Sequence, residues 1–157
     1  MMVIRAYRDE DLEAVVRCFG RSVRTIGARY YAPQQIEAWA PDPPDLLAWA
    51  SRFRTGAVLI ADADGVVLGF VRVEDEGLVD LLYVDPDHER TGIGRELLEV
   101  ACAWAVGQGA RRLVSEVSLS ARPLFESTGF RVEREQSVER RGIRFVNFQM
   151  AREPQEW

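Results

Sequence analysis

One stretch narrows the fold more than any other: Leu82-Tyr83-Val84-Asp85-Pro86-Asp87-His88-Glu89-Arg90-Thr91-Gly92-Ile93-Gly94-Arg95-Glu96-Leu97-Leu98. An apolar strand over 78–84 ends at Asp85-Pro86, and the backbone then turns through a loop with two glycines. A helix follows over about 92–106, with Ile93, Leu97, Ala101 and Trp104 as its buried stripe. Another apolar strand comes at 113–117. The crossover between the two strands should be parallel and right-handed.

Meanders flank this unit. Residues 3–7 alternate as an edge strand. Asp9 or Asp11 is placed to cap a helix carrying Leu12, Val15, Val16, Phe19 and Val23, which Gly27 would end. Strands at 57–61 and 66–73 bracket the hairpin signal Asp64-Gly65, and strands at 130–139 and 143–150 bracket Arg141-Gly142. A short helix over 121–127 stops at Gly129. Between the first helix and the first hairpin, Tyr30, Tyr31, Trp39, Trp49 and Phe53 are interleaved with Pro33, Pro41, Pro43 and Pro44. The prolines break this stretch into short helices, and a linker is not so aromatic. The expectation is mixed α/β: a single domain over 2–151 with a tail at 152–157, and a central twisted mixed sheet of about seven strands flanked by about four helices.

Composition removes several kinds of chemistry. The chain has 157 residues, enough for one domain. Its formal net charge of −5 argues against a nucleic-acid partner, which needs a basic face. All 20 bases are arginine, so a lysine Schiff base and a P-loop lysine are excluded. The one histidine, His88, cannot make a two-His zinc site, and no metal is expected. Cys18 and Cys102 lie in apolar helical contexts without a CxxC, which reads as two reduced core thiols. No signal segment follows Met1 and no apolar run approaches 18 residues. A cytoplasmic protein without a membrane partner is the expectation.

The loop after the strand at 78–84 carries the chemistry. Glycines there admit left-handed backbone and close approach of a ligand. The first N–H groups of a helix favour an anion, typically a phosphate, and Arg90 and Arg95 add positive charge nearby. A plain strand-to-helix turn is the alternative. The Walker pattern fails because Arg95-Glu96 follow Gly94, and the dinucleotide fingerprint fails because position 97 is Leu.

The run Tyr83-Val84-Asp85-Pro86…Gly92-Ile93-Gly94…Leu97-Leu98 resembles the acyl-CoA motif of the GNAT superfamily of N-acetyltransferases. Ala121…Phe125-Glu126…Gly129-Phe130 resembles its second signature, and the order of elements matches that fold over about residues 2–151. Tyr30-Tyr31-Ala32-Pro33…Ala38-Trp39 and Asn147-Phe148-Gln149-Met150 look like a bacterial subgroup. The resemblance implies a GNAT-like domain with a splayed parallel strand pair and acetyl-CoA as cosubstrate. Leu82, Tyr83 and Val84 would bind the pantetheine arm, with the Val84 N–H polarising the thioester carbonyl. Glu89, Arg90, Thr91, Gly92, Ile93 and Gly94 would wrap the pyrophosphate, with Arg95 on the helix start. Ser118 would sit across the slot, and Arg122 and Phe125 would line its other side. Two residues depart from the family pattern. Glu89 stands where Gln or Arg is usual, so either it points to solvent or Arg90 supplies the charge. Phe125 stands where a tyrosine acid is frequent.

A base must deprotonate an ammonium acceptor. Asp80, inside an apolar strand, and Glu116, central in the next, are the candidates, with an ion pair to an arginine as the alternative for each. Tyr30, Tyr31 and Trp39 are the expected acceptor-binding residues, with satellite core as their alternative. The expected function is acetyl transfer to a small-molecule or peptide amine by direct attack in a ternary complex, by a monomer or homodimer. A non-catalytic acyl-CoA sensor and a structural domain with a vestigial loop are the competing readings.

Overall fold

Strands appear where the sequence runs apolar between turn residues, and the central ones are covered on both faces. The computed structural model describes residues 1–154. Strands β1 (Met2–Ala6), β2 (Ala57–Ala63), β3 (Val66–Val73) and β4 (Val79–Val84) pair in that order, all antiparallel. Side chains alternate across this sheet. Ile60, Phe70 and Leu81 meet Val15, Phe19 and Val23 of helix α1 (Leu12–Thr25). Ala61, Val71 and Val79 meet Leu97, Leu98 and Ala101 of helix α4 (Ile93–Gly107). Between α1 and β2 lie α2 (Pro33–Trp39) and α3 (Leu46–Arg52), the latter capped by the Asp45 carboxylate, which accepts from Ala48 N at 3.1 Å.

A second sheet has the order β5-β7-β6, from β5 (Leu113–Val117), β6 (Arg131–Arg140) and β7 (Ile143–Arg152), again antiparallel. Helix α5 (Arg122–Ser127) joins β5 to β6. Among the described residues the seven expected strands are present, but in two antiparallel sheets rather than one continuous sheet, with five α-helices where about four are expected. Among the described residues the sheets join at one parallel bridge, Leu78–Val114, beside a Val114 N–H bond to Gly77 O at 3.0 Å. One residue on, the Ser115 hydroxyl donates to Val79 O at 2.7 Å. A side chain there takes the carbonyl that a continuing ladder would have used.

Asp11 precedes α1 but does not cap it through its side chain. Its carboxylate instead accepts from Arg5 at 2.8 and 2.9 Å and from Arg8 N at 2.8 Å. The charge-assisted bond beats the cap because it also ties β1 to the helix start. β7 reaches Arg152, and residues 155–157 of the expected tail lie outside the described residues. Among the described residues no helix is long and apolar enough to cross a membrane.

Candidate active site

The site begins at the free edge of β4. Asp85 N donates to Leu68 O at 2.8 Å, which sets the alternation of the β3–β4 ladder. Tyr83 and Leu81 are then the residues bonded to β3, and the N–H groups of Leu82 and Val84 face the opposite edge. On that side, among the described residues, the one backbone bridge to β5 is Leu78–Val114, followed by the Ser115 side-chain bond to Val79 O.

The loop beyond β4 is held by arginines from the N-terminal part of the chain. Asp85 accepts from Asp87 N at 2.9 Å, and Arg21 of α1 donates to Asp85 and to Asp87, each at 3.0 Å. Partial burial pushes the Asp85 carboxyl up, but Arg21 and the Asp87 N–H outweigh it and hold it below the usual carboxylate range. His88 Nδ1 lies 3.8 Å from Asp85 Oδ1, and no hydrogen bond reaches it among the described residues. Glu89 does not point freely to solvent. Arg29 donates to it twice, at 2.6 and 2.9 Å, and holds its carboxyl below the ordinary value.

The two glycines answer to different constraints. Gly92 precedes α4 at φ 89°, without a side-chain cap, and a Cβ there would meet nothing within 4 Å. With Arg90 also left-handed at φ 61°, the loop presents bare backbone and the unpaired N–H groups of a helix start to open space. Gly94 instead admits a close packing contact: a Cβ there would lie 2.9 Å from Leu124 Cδ2 and 3.4 Å from Val84 Cγ2. Arg95 is exposed 3.7 Å from Glu99, and Arg122 lies 3.3 Å from Glu126 with its guanidinium 4.5 Å from the Phe148 ring centre.

A cleft of about 900 Å³ opens between β4 and β5 and under α1, α2 and α3. Its aromatic lining includes Phe19, Trp39, Trp49, Tyr83 and Phe145, and Trp39 Nε1 donates to the Tyr83 hydroxyl at 3.3 Å. Of the sequence-derived candidates, Asp80, Leu82, Tyr83, Glu116, Ser118, Phe125, Tyr31 and Trp39 line it. Val84, the loop 89–95 and Arg122 do not. Tyr30 is 49% exposed and absent from the lining, so the expectation that it lies with Tyr31 in an acceptor pocket is corrected. The chain turns at Gly27–Arg29 just before the two tyrosines, and it leaves Tyr30 exposed and Tyr31 buried. The lining also holds Arg24, Arg140, Arg141 and Asn147; Asn147 fell within a family-like run and Arg141 within a turn signal, but neither they nor the other two were marked as site residues. The last three come from the β6–β7 hairpin, brought in by strand pairing far along the chain.

The acid–base candidates differ sharply. Asp80 accepts from Arg52 at 2.8 and 3.0 Å and from the buried Arg72 at 2.8 Å, so both its oxygens are committed. Glu116 is exposed rather than buried, and one of its oxygens accepts from Gln136 Nε2 at 2.6 Å. The desolvation expected for a central strand residue is missing because its side chain faces the open cleft. Burial pushes the Tyr83 and Tyr31 phenols up. The Ser118 hydroxyl accepts from Ala121 N at 3.1 Å, ahead of α5. Phe125 is buried, its ring packed edge-on against Phe130 at 5.1 Å.

Known proteins resemble this chain along nearly its whole length. Residues 28–152 match the model of the acetyltransferase (GNAT) domain. The uncharacterized N-acetyltransferase YafP of Escherichia coli K12 is 33% identical over 153 residues, covering 97% of this chain and 96% of that protein. A GCN5-related N-acetyltransferase from Rhodopseudomonas palustris superposes with a TM-score of 0.92 at 28% identity, over 96% of this chain and 94% of that one. YncA of Salmonella typhimurium, a putative acetyltransferase solved with acetyl-CoA, superposes with a TM-score of 0.70 at 22% identity, over 98% and 94%.

Proposed function

Because this chain belongs to the GNAT family of acetyl-CoA-dependent N-acetyltransferases, we propose that it acetylates a primary amine, on a small molecule or a peptide, by direct attack within a ternary complex. The observation that carries this reading is one succession: the outward-facing Leu82 and Val84 amides end a strand that borders an aromatic cleft at Leu82 and Tyr83, and a short loop leads from there to the Gly92 helix start.

The residues fit acetyl-CoA. The open space at Gly92 and the uncapped start of α4 suit a pyrophosphate, with Arg90 and Arg95 close by. Leu82, Tyr83 and Val84 on one side and Ser118 and Phe125 on the other would flank the pantetheine arm, with Arg122 on the face of α5. Acetyl-CoA supplies the acetyl group as an activated thioester.

In this reading the Val84 N–H holds the carbonyl oxygen as negative charge gathers on it. Glu116 takes the proton from the attacking ammonium, directly or through one water. One of its oxygens has no partner among the described residues, whereas Asp80 is committed to Arg52 and Arg72. The nitrogen lone pair forms the C–N bond as the C–S bond breaks, and the electron pair leaves on sulfur. The Tyr31 proton is held by Val146 O, so it is not the thiolate's proton source. Tyr83 accepts from Trp39 and keeps its own proton to give. Tyr31 and Trp39 shape the acceptor end of the cleft. Cys18 and Cys102 are unpaired and buried, which suits a reducing cytoplasm. The protein acts as a monomer or homodimer, without a nucleic-acid or membrane partner.

The test is a thiol-release screen with acetyl-CoA over a broad amine library, alongside calorimetry with CoA. Acetylation of one amine class is expected. Tight CoA binding with no acceptor-dependent release would favour a non-catalytic acyl-CoA sensor, the reading suggested by Phe125 in place of an acid.

A further inference from the structure

The connection after β4 is strongly acidic for a segment meant to meet a pyrophosphate. Asp85, Asp87 and Glu89 fall within five residues, immediately before the left-handed Arg90 and the Gly92 helix start. Each of these carboxylates is met by an arginine from one short N-terminal segment. Arg21 pairs with Asp85 and Asp87, and Arg29 pairs with Glu89 through two bonds at 2.6 and 2.9 Å. Arg90, next in the chain, adds a weaker attraction to Glu89 than the paired Arg29 does.

We propose that Arg29 is the charge-compensating residue of the cosubstrate loop: its guanidinium neutralises Glu89 and so allows an acidic loop to accept the pyrophosphate of acetyl-CoA. This rests on the acetyl-CoA reading above. Glu89 lies three residues before Gly92, at most about 11 Å along the chain, well inside the roughly 30 Å Debye length at 0.01 M salt. Left bare, it would repel that anion. A bidentate guanidinium fork cancels the charge while holding the carboxylate turned toward the turn at Gly27–Arg29. Arg29 is thus a positioning and charge-setting residue that acts through Glu89, with no contact to the reacting atoms.

The test is a double-mutant cycle read by calorimetry with CoA, at low and at about 0.5 M salt. Arg29→Ala should weaken CoA binding by about tenfold at low salt. Glu89→Gln should tighten it, since Arg29 then stands uncompensated beside the phosphates. Arg29→Ala/Glu89→Gln should return to within about threefold of wild type. All differences should shrink at high salt. Arg29→Lys, which keeps the charge without the fork, should fall between wild type and Arg29→Ala. A role for Arg29 that is only structural would not be rescued by Glu89→Gln, and a double variant as weak as Arg29→Ala would overturn the proposal. So would equal affinities in all variants. A wild-type protein that binds no CoA would overturn the acetyl-CoA reading and this inference with it.

Discussion

Leu119 donates its N–H to the Tyr31 hydroxyl at 3.0 Å, across 88 residues of sequence, and the same hydroxyl donates to Val146 O at 2.7 Å. Tyr31 therefore ties three parts of the cleft together: the segment before α2, the turn between β5 and α5, and β7. Its ring packs on Trp39 and Phe145 at 5.4 and 5.7 Å. Tyr31→Phe keeps those contacts and strands a backbone donor and acceptor. A loss of about 1–3 kcal/mol in urea unfolding is expected, together with a fall in kcat/KM for the acceptor. Unchanged unfolding would show that water replaces the hydroxyl.

Glu116 and Asp80 should separate cleanly by mutation. Glu116→Gln removes only ionisation and should lower kcat by about 10²–10⁴ at neutral pH. KM for acetyl-CoA should stay near wild type, and the loss should be partly recovered at higher pH, where more acceptor is already free amine. Asp80→Asn should act chiefly on stability, at about 1–3 kcal/mol, because Arg72 is 5% exposed and loses a charged partner. A pH–rate profile of each variant decides it, and the reverse pattern would make Asp80 the base.

Gly92→Val and Gly94→Val should fail for different reasons. The Gly92 variant has room for its side chain but forces a β-branched residue to φ 89° at the expected phosphate contact. CoA binding should be lost while the circular dichroism spectrum is kept. The Gly94 variant pushes Leu124 on α5, so both binding and thermal stability should drop. Measuring Tm and CoA affinity together distinguishes them.

Phe125 belongs to the core as well as to the cleft. Phe125→Ala should cost about 3–5 kcal/mol of stability, as for other buried rings, beyond any loss of cosubstrate contact. Phe125→Tyr should change turnover by less than about tenfold, because a thiol of pKa about 8.5 leaves with little help near pH 8. A hundredfold gain with a new alkaline limb would mean that the wild type is limited by a missing acid.

Burial pushes the Cys18 thiol up to about 12 and the Cys102 thiol up to about 11. Neither should react with a thiol reagent at pH 8 in the native protein, and two equivalents should react in denaturant. The raised values stabilise the fold fully below the unfolded thiol's pKa of about 8.5. That contribution is lost as pH climbs toward the folded values, so urea midpoints should decline above about pH 9. A thiol-release assay run at pH 8 should have no background from the protein.

Much of the fold was legible because its determinants are local. Apolar runs bounded by Asp64-Gly65, Asp85-Pro86 and Arg141-Gly142 set the strands, and the stripe from Ile93 to Trp104 set α4. The Gly92–Gly94 loop pointed to an anion site for the same reason, since left-handed backbone and a helix start are properties of neighbouring residues. What stayed hidden needed distance. Glu89 read as a departure from the family pattern, turned to solvent or offset by Arg90, because its partner, Arg29, lies 60 residues away. Asp80 read as a candidate base because Arg52 reaches it from α3 and Arg72 from β3, neither of them a near neighbour in the chain.

By itself, then, the sequence determined the order of elements, the crossover and the backbone geometry of the loop before α4, all written in the spacing of near neighbours. Only the tertiary structure decided which charges are left free. It parted β4 from β5 one residue past a single bridge, buried Tyr31 while exposing Tyr30, and brought Arg140 and Asn147 to the cleft from β6 and β7. Charge pairing acts through space at about 3 Å, and the chain separation of the partners leaves no periodic trace in the sequence.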